Sequence, residues 1–307
     1  LEDRIYDLII IGGGPAGLTA GLYAARNRVD HALLERLSPG GQVLNTDWVE
    51  NWPGTEGISG FDLADAMRAH AEKFGLARFS KEVIDLKLGG EIKEIILADG
   101  VARCKALIIA SGANPTKLRI KGEAELTGKG VSYCGTCDGP FFRDQVVVAI
   151  GGGDAAVEEA IFLTKFAKKV YLVHRRNELR AAKIAQERAF QNEKIEILWN
   201  SIVTNIAGDD KVTGVTVQDV QTSAHRDFEV DGVFIFVGVK PNSDFLSADI
   251  SRNTAGFIKV NLEMETGIPG VFAAGDVIDK KMRQICTAAG DGATALASAE
   301  RYLESLK

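Results

Sequence analysis

The chain opens on a short, almost unbroken apolar run. Ile5-Tyr6-Asp7-Leu8-Ile9-Ile10-Ile11 is rich in β-branched residues and ends in glycines, the pattern of a strand buried on both faces of a parallel sheet. Residues 15–28 then predict a helix, and residues 32–34 a second strand. The same order recurs at Val146–Ile150, followed by Gly151-Gly152-Gly153, a helix to about Phe166 and a strand at 170–173. The glycine triplets begin at 12 and 151, an offset of 139 residues, so the chain carries two copies of a strand–glycine turn–helix–strand unit and no short solenoid period. Between the copies, Phe61, Leu63, Ala64, Met67, Ala71 and Phe74 fall at helical spacing across 60–75. Residues 82–98 alternate as a hairpin does, 106–110 predicts another buried strand, and 296–306 predicts a closing helix.

Two segments read as hinges, Ser111-Gly112-Ala113-Asn114-Pro115 and Gly238-Val239-Lys240-Pro241-Asn242. Each follows an apolar strand, and each sets a proline three residues after a glycine. Matching punctuation on both sides predicts one domain inserted into another. The outer domain is 1–114 with 243–307, and the inserted one is 115–242.

Composition narrows the function. Lys and Arg number 36 against 42 Asp and Glu, a formal charge of −6, which argues against nucleic acid or an anionic membrane as the main partner. Apolar runs fall far short of the ~18 residues of a membrane span. The acidic start (Glu2, Asp3, Asp7) and interrupting glycines do not suit a secretory signal, so the expected location is cytoplasmic. The 33 glycines in 307 residues exceed the usual share of about 7%, as expected where backbone must approach ligands.

Gly12-Gly13-Gly14-Pro15-Ala16-Gly17 satisfies G-x-G-x-x-G after a strand and before a helix, the dinucleotide-binding context. Glu35, 23 residues after Gly12 at the end of the next strand, supplies the acid that binds a ribose hydroxyl pair. The second copy, Gly151-Gly152-Gly153-Asp154-Ala155-Ala156, has no such acid. The same count from Gly151 reaches His174-Arg175-Arg176, with Arg180 a turn beyond. Guanidinium groups bind an extra phosphate that a carboxylate would repel, so the second site favours NADP over NAD. A nicotinamide needs a hydride acceptor, and a flavin is the natural one, which places FAD on the first site and NADPH on the second. Asp276 follows an apolar strand at 270–274, where ligands bind in such sheets.

Cys134-Gly135-Thr136-Cys137 is the chemical centre. A C-x-x-C pair closes a small disulfide ring, and its thiols ionise more easily when they open a helix. Asp138 is the nearby proton-transfer candidate; His31, His70, His174 and His225 are remote in sequence. A zinc site needs two further ligands at similar spacing, and Cys104 and Cys286 are single and distant. Both read as core residues.

Taken in order, GGGPAG, GGQ at 40–42, ENWPG at 50–54, C-x-x-C-D-G, GGG-x-A-x-E-E-A, HRR-x-x-x-R and AAGD resemble the low-molecular-weight, bacterial-type thioredoxin reductases across essentially the whole chain. The resemblance implies an α/β fold of two Rossmann-like dinucleotide-binding domains, the NADPH domain inserted into the FAD domain. It implies a homodimer that reduces thioredoxin with NADPH. Cys134 then matches the cysteine that attacks thioredoxin, Cys137 the one facing the flavin, and Asp138 the acid. Gly12, Gly14, Pro15, Ala16, Gly17, Glu35, Gly41, Gln42, Asn51, Ala113, Asp276, Arg283, Gln284 and Ile285 match the FAD positions. Gly151, Gly153, Asp154, Ala155, His174, Arg175, Arg176 and Arg180 match those for NADPH. Phe141-Phe142 resembles the thioredoxin-docking loop. Met282 stands where Tyr is usual, Ser111 where Thr is more common, and Asp154 where a small or amide residue is usual, which sets a negative charge beside the expected pyrophosphate. The rival readings are a reductase of another disulfide carrier, a ferredoxin-linked reductase, which the arginine cluster disfavours, and a non-catalytic redox sensor. Because the disulfide and the NADPH motif ride on one inserted domain and each must reach the flavin, that domain is expected to rotate on its hinges.

Overall fold

The computed structural model describes residues 4–46 and 48–307. The chain divides into two units, 1–114 with 240–307, and 115–239.

In the first unit, the strand Ile5–Ile11 pairs in parallel with His31–Glu35 on one side and Gly100–Ile109 on the other. Alternate residues of this strand point to opposite faces. Ile9 and Ile11 enter one core with Leu107 and Ile109, while Leu8 and Ile10 enter a second with Ala106 and Ile108. Both faces are packed, which is why the run reads as continuously apolar. Gly100–Ile109 is longer than the pattern at 106–110 predicts, because its ends serve different partners. Residues 100–104 pair antiparallel with Lys93–Leu97 of the expected hairpin, and 107–109 pair parallel with Val271–Ala273.

The helix Pro15–Arg26 ends two residues before the expected 28, where Arg28 takes a φ of 60°. The closing helix is Ile285–Ser305, starting well before the expected 296. Gly290 and Gly292 lie inside this helix, and a side chain at Gly292 would overlap the Ala16 carbonyl. The glycine lets two helices touch, and does not end one.

In the second unit, a parallel sheet runs in the order Val131–Ser132, Gly232–Ile235, Val146–Ile150, Lys169–Val173, Ile195–Leu198. The helix after the second glycine triplet is Asp154–Leu163, short of the expected Phe166. Strands Ser201–Gly208, Val212–Asp219 and His225–Glu229 form a separate antiparallel sheet. The connecting segments Ala113–Pro115 and Val239–Pro241 pair with each other as a two-stranded ribbon. Among the described residues no helix is long and apolar enough to cross a membrane.

Candidate active site

In the first unit, the chain leaves Ile11 through Gly12, at φ +105°, a conformation L side chains rarely adopt. A side chain at Gly17 would overlap the Gly12 carbonyl oxygen, so the helix Pro15–Arg26 starts directly on the turn. Its N-cap, Gly14, has no capping side chain, and no acid lies in the first turn. The free helix amides form an anion cradle. Glu35 closes the turn from the neighbouring strand: Oε2 accepts from the Gly13 amide at 2.7 Å and Oε1 from the Leu37 amide at 2.8 Å. Gly41 stands against Gly14 and opens a short 3-10 turn bearing Gln42.

Around this cradle lie amide side chains from distant segments. Gln42 Nε2 donates to Asn114 Oδ1 at 2.5 Å, and Asn114, beside Ala113, donates to Asn242 Oδ1 at 2.8 Å. Ser111 Oγ donates to the Asn242 carbonyl at 2.7 Å. Asn51 Nδ2 donates to Gln284 Oε1 at 3.0 Å, and Gln284 caps the closing helix just before Ile285. Asp276 follows the strand Val271–Ala273, in the 3-10 turn Gly275–Val277. Its Oδ1 is buried with no hydrogen-bond partner among the described residues. Lys280 Nζ forms an ion pair with it at 3.5 Å and lies closer to Asp291 Oδ2, at 2.7 Å. Burial raises the Asp276 pKa, and Lys280 and Arg283 oppose it. Arg283 lies over the Phe257 ring at 4.1 Å and donates to the Ile278 carbonyl at 3.2 Å. Met282 is exposed. An amide cradle beside an acceptor lacking a donor fits a ligand that combines phosphates with hydroxyl groups, as FAD does.

The second unit repeats the cradle with different chemistry. The helix Asp154–Leu163 begins on Gly153, again without a capping side chain. The loop 174–182 folds back onto this turn at two points. Arg180 N donates to the Gly152 carbonyl at 2.7 Å, and Ala182 N donates to Asp154 Oδ1 at 2.7 Å. Asp154 therefore does not simply set a bare charge beside the glycine turn, as its sequence position suggested; one oxygen clasps the arginine loop. Ala155 follows it, exposed, in the first helical turn. Arg175, Arg176 and Arg180 are exposed and make no salt bridge with any described residue. His174 is buried, and its Nε2 has no hydrogen-bond partner among the described residues. Burial lowers its pKa, with Arg180 and Arg176 adding to the effect. The ring is thus held neutral beneath a cluster of positive charge, a setting suited to a phosphorylated ribose.

Removing the clasp separates hydrogen bond from charge. Asp154→Ala loses about 1 kcal/mol of loop tethering, so the apparent affinity for a nucleotide at this cradle falls roughly fivefold. Asp154→Asn keeps an acceptor for Ala182 N and stays within about twofold of the parent. Steady-state kinetics on the two variants checks this; equal losses in both would assign the effect to the charge.

The same unit carries the cysteines. Cys134 caps the turn Gly135–Asp138, with Asp138 as its last residue, and is disulfide-bonded to Cys137. The Cys137 amide donates to Cys134 Sγ at 3.2 Å, and the Cys134 amide to Ser132 Oγ at 3.0 Å. Cys104 and Cys286 lie in the first unit: Cys104 is buried, its thiol pushed up to about 12 by burial, and Cys286 is half-buried in the closing helix. The aromatic pair divides. Phe141 is exposed, whereas Phe142 turns inward, edge-on to Phe234 with centroids 5.1 Å apart and against Gly232. Phe141 is the more exposed of the two, and Phe142 is half-buried. Sequence reasoning missed Lys280 and Asp291 around Asp276. The four-residue step from Asp276 to Lys280 was the only local signal.

The family model for pyridine nucleotide-disulphide oxidoreductases matches residues 6–292. Thioredoxin reductase of Bacillus subtilis is 48% identical across 100% of this chain and 97% of its own length. That of Listeria monocytogenes is also 48% identical, with 96% of its length covered. The solved thioredoxin reductase of Streptococcus pyogenes superposes with a TM-score of 0.95 at 47% identity, covering 99% of this chain and 100% of that one.

Proposed function

The chain belongs to the pyridine nucleotide-disulphide oxidoreductase family, and on that premise we propose that it is a thioredoxin-disulfide reductase using FAD in the outer unit and NADPH in the inserted one. The observation that carries the activity is a C-x-x-C disulfide at 134–137 in a chain 48% identical to thioredoxin reductases over its full length. The cofactor assignment rests on the contrast between the cradles. Glu35 lies within hydrogen-bond reach of the first, and three arginines without ion pairs flank the second.

A flavin held in the outer unit would supply the two-electron chemistry that links a nicotinamide to a disulfide. The chain's own residues do the rest. The helix amides after Gly14 and Glu35 would hold the dinucleotide, and Asp276 would offer its buried Oδ1 as an acceptor to it. Gly151, Gly153 and the following helix amides take the NADPH pyrophosphate, while Arg175, Arg176 and Arg180 take its 2′-phosphate. Reduction opens Cys134–Cys137 to two thiols. The Cys134 thiolate attacks the thioredoxin disulfide, Cys137 resolves the mixed disulfide, and Asp138 holds the exchanged proton. The inserted unit turns on the paired segments 113–115 and 239–241 between the half-reactions. The enzyme works as a homodimer in the reducing cytoplasm, where such a disulfide is catalytic and not structural.

Replacing Arg175 and Arg176 together by Ala tests the donor assignment. Each bidentate phosphate contact is worth about 1.5–3 kcal/mol, so kcat/KM with NADPH falls roughly a hundredfold or more while that with NADH changes little. Equal losses with both nucleotides would remove the case for a 2′-phosphate site.

A further inference from the structure

Gly135, between the two redox cysteines, is buried, and a side chain there would overlap Oε2 of Glu159. Glu159 belongs to the helix Asp154–Leu163, which packs against the cysteine turn. Its Oε2 is buried with no hydrogen-bond partner among the described residues. The Phe236 ring closes the same space, 3.4 Å from where a Gly135 side chain would sit. A buried carboxyl oxygen thus lies against the backbone of Gly135, the residue that follows Cys134.

We propose that Glu159 is a positioning residue whose charge, acting through the Gly135 backbone, sets how readily the Cys134–Cys137 pair ionises once it is reduced. Reduction breaks the S–S bond, takes up two electrons and two protons, and leaves two thiols. Attack on a partner disulfide then needs one of these as a thiolate, its proton released to solvent. A carboxylate in a water-poor space opposes a second negative charge nearby more strongly than an exposed one does.

The surroundings offer no compensation. Burial first, and the charge of Glu158 second, raise the Glu159 pKa, and no cation offsets them. On the elements packed against its helix, the cysteine turn adds Asp138. The helix Lys183–Phe190 carries Lys183, Glu187 and Arg188, and the strand Lys169–Val173 carries Tyr171 and Lys169, the latter engaged by Glu196. Above its pKa, Glu159 is charged and holds the thiols protonated. Below it, the carboxyl is neutral and that restraint is gone. The parent's thiols therefore ionise at higher pH than they would beside a neutral side chain.

The test is the pH dependence of iodoacetamide alkylation at Cys134 and Cys137 in the dithiothreitol-reduced holoenzyme, read site by site by mass spectrometry. Glu159→Gln is expected to alkylate roughly threefold to tenfold faster at pH 7, its profile shifted towards acid. Glu159→Asp keeps the charge and should follow the parent, as should Glu158→Gln at the exposed neighbour. A Glu159→Gln profile that superposes on the parent overturns the proposal. So does a Glu159→Asp profile shifted like that of Glu159→Gln, since packing alone would then explain both. The readout needs no nicotinamide and no thioredoxin, so it stands apart from the functional assignment.

Discussion

Replacing Cys134 by Ser is expected to abolish NADPH-dependent thioredoxin reduction, by at least about a thousandfold, while flavin absorbance still bleaches when NADPH is added. A serine hydroxyl at this position does not ionise near neutral pH, and no other thiol can stand in for it. Cys104 is buried in the other unit with its thiol pushed up to about 12, and Cys286 lies in the closing helix. Cys137→Ser is expected to give the same loss by a different route, because the protein disulfide can no longer form. Turnover with thioredoxin and stopped-flow flavin reduction, measured on both variants, separate the half-reactions. Turnover above a few per cent of the parent in either variant would contradict the assignment of the pair.

Gly17→Ala is expected to cost the protein its FAD and much of its stability. The added methyl would sit inside the Gly12 carbonyl, and Gly12 is held at a φ of +105° in the turn that leaves Ile11. Relief requires the turn to open, which costs roughly 1–3 kcal/mol or more and spoils the amide cradle. For a unit of this size the midpoint should fall by about 3–10 °C. The contrast is Gly14→Ala, where the nearest atom to the new methyl, Gly41 Cα, is 4.0 Å away. That variant should fold normally and lose FAD affinity alone. Flavin content and thermal melts of the two proteins check the pair of outcomes.

Much of the fold is legible because its signals are local. A β-branched run, three glycines and a helical stretch specify the strand Ile5–Ile11, the turn and the helix Pro15–Arg26 without reference to the rest of the chain. What the sequence hides depends on residues far apart in it. Nothing local to Gly292 shows that the Ala16 carbonyl lies against it. Phe142 looks as exposed as Phe141 until Gly232 and Phe234 arrive from the far side of the unit. The charge of Asp154 looks free until Ala182 is folded back onto it. Glu159 sits in a motif already striped with acids and gives no hint that Gly135 lies over its carboxyl. In each case periodicity finds the element, and only a tertiary neighbour decides what its side chain does.

The measurement that bears most directly on the account is an anaerobic titration of the flavin-loaded protein with NADPH, following the flavin spectrum and counting thiols. The account predicts uptake of about two equivalents, bleaching of the flavin, and two new thiols at Cys134 and Cys137. A flavin that stays oxidised under excess NADPH, or one that bleaches without releasing thiols, would contradict it.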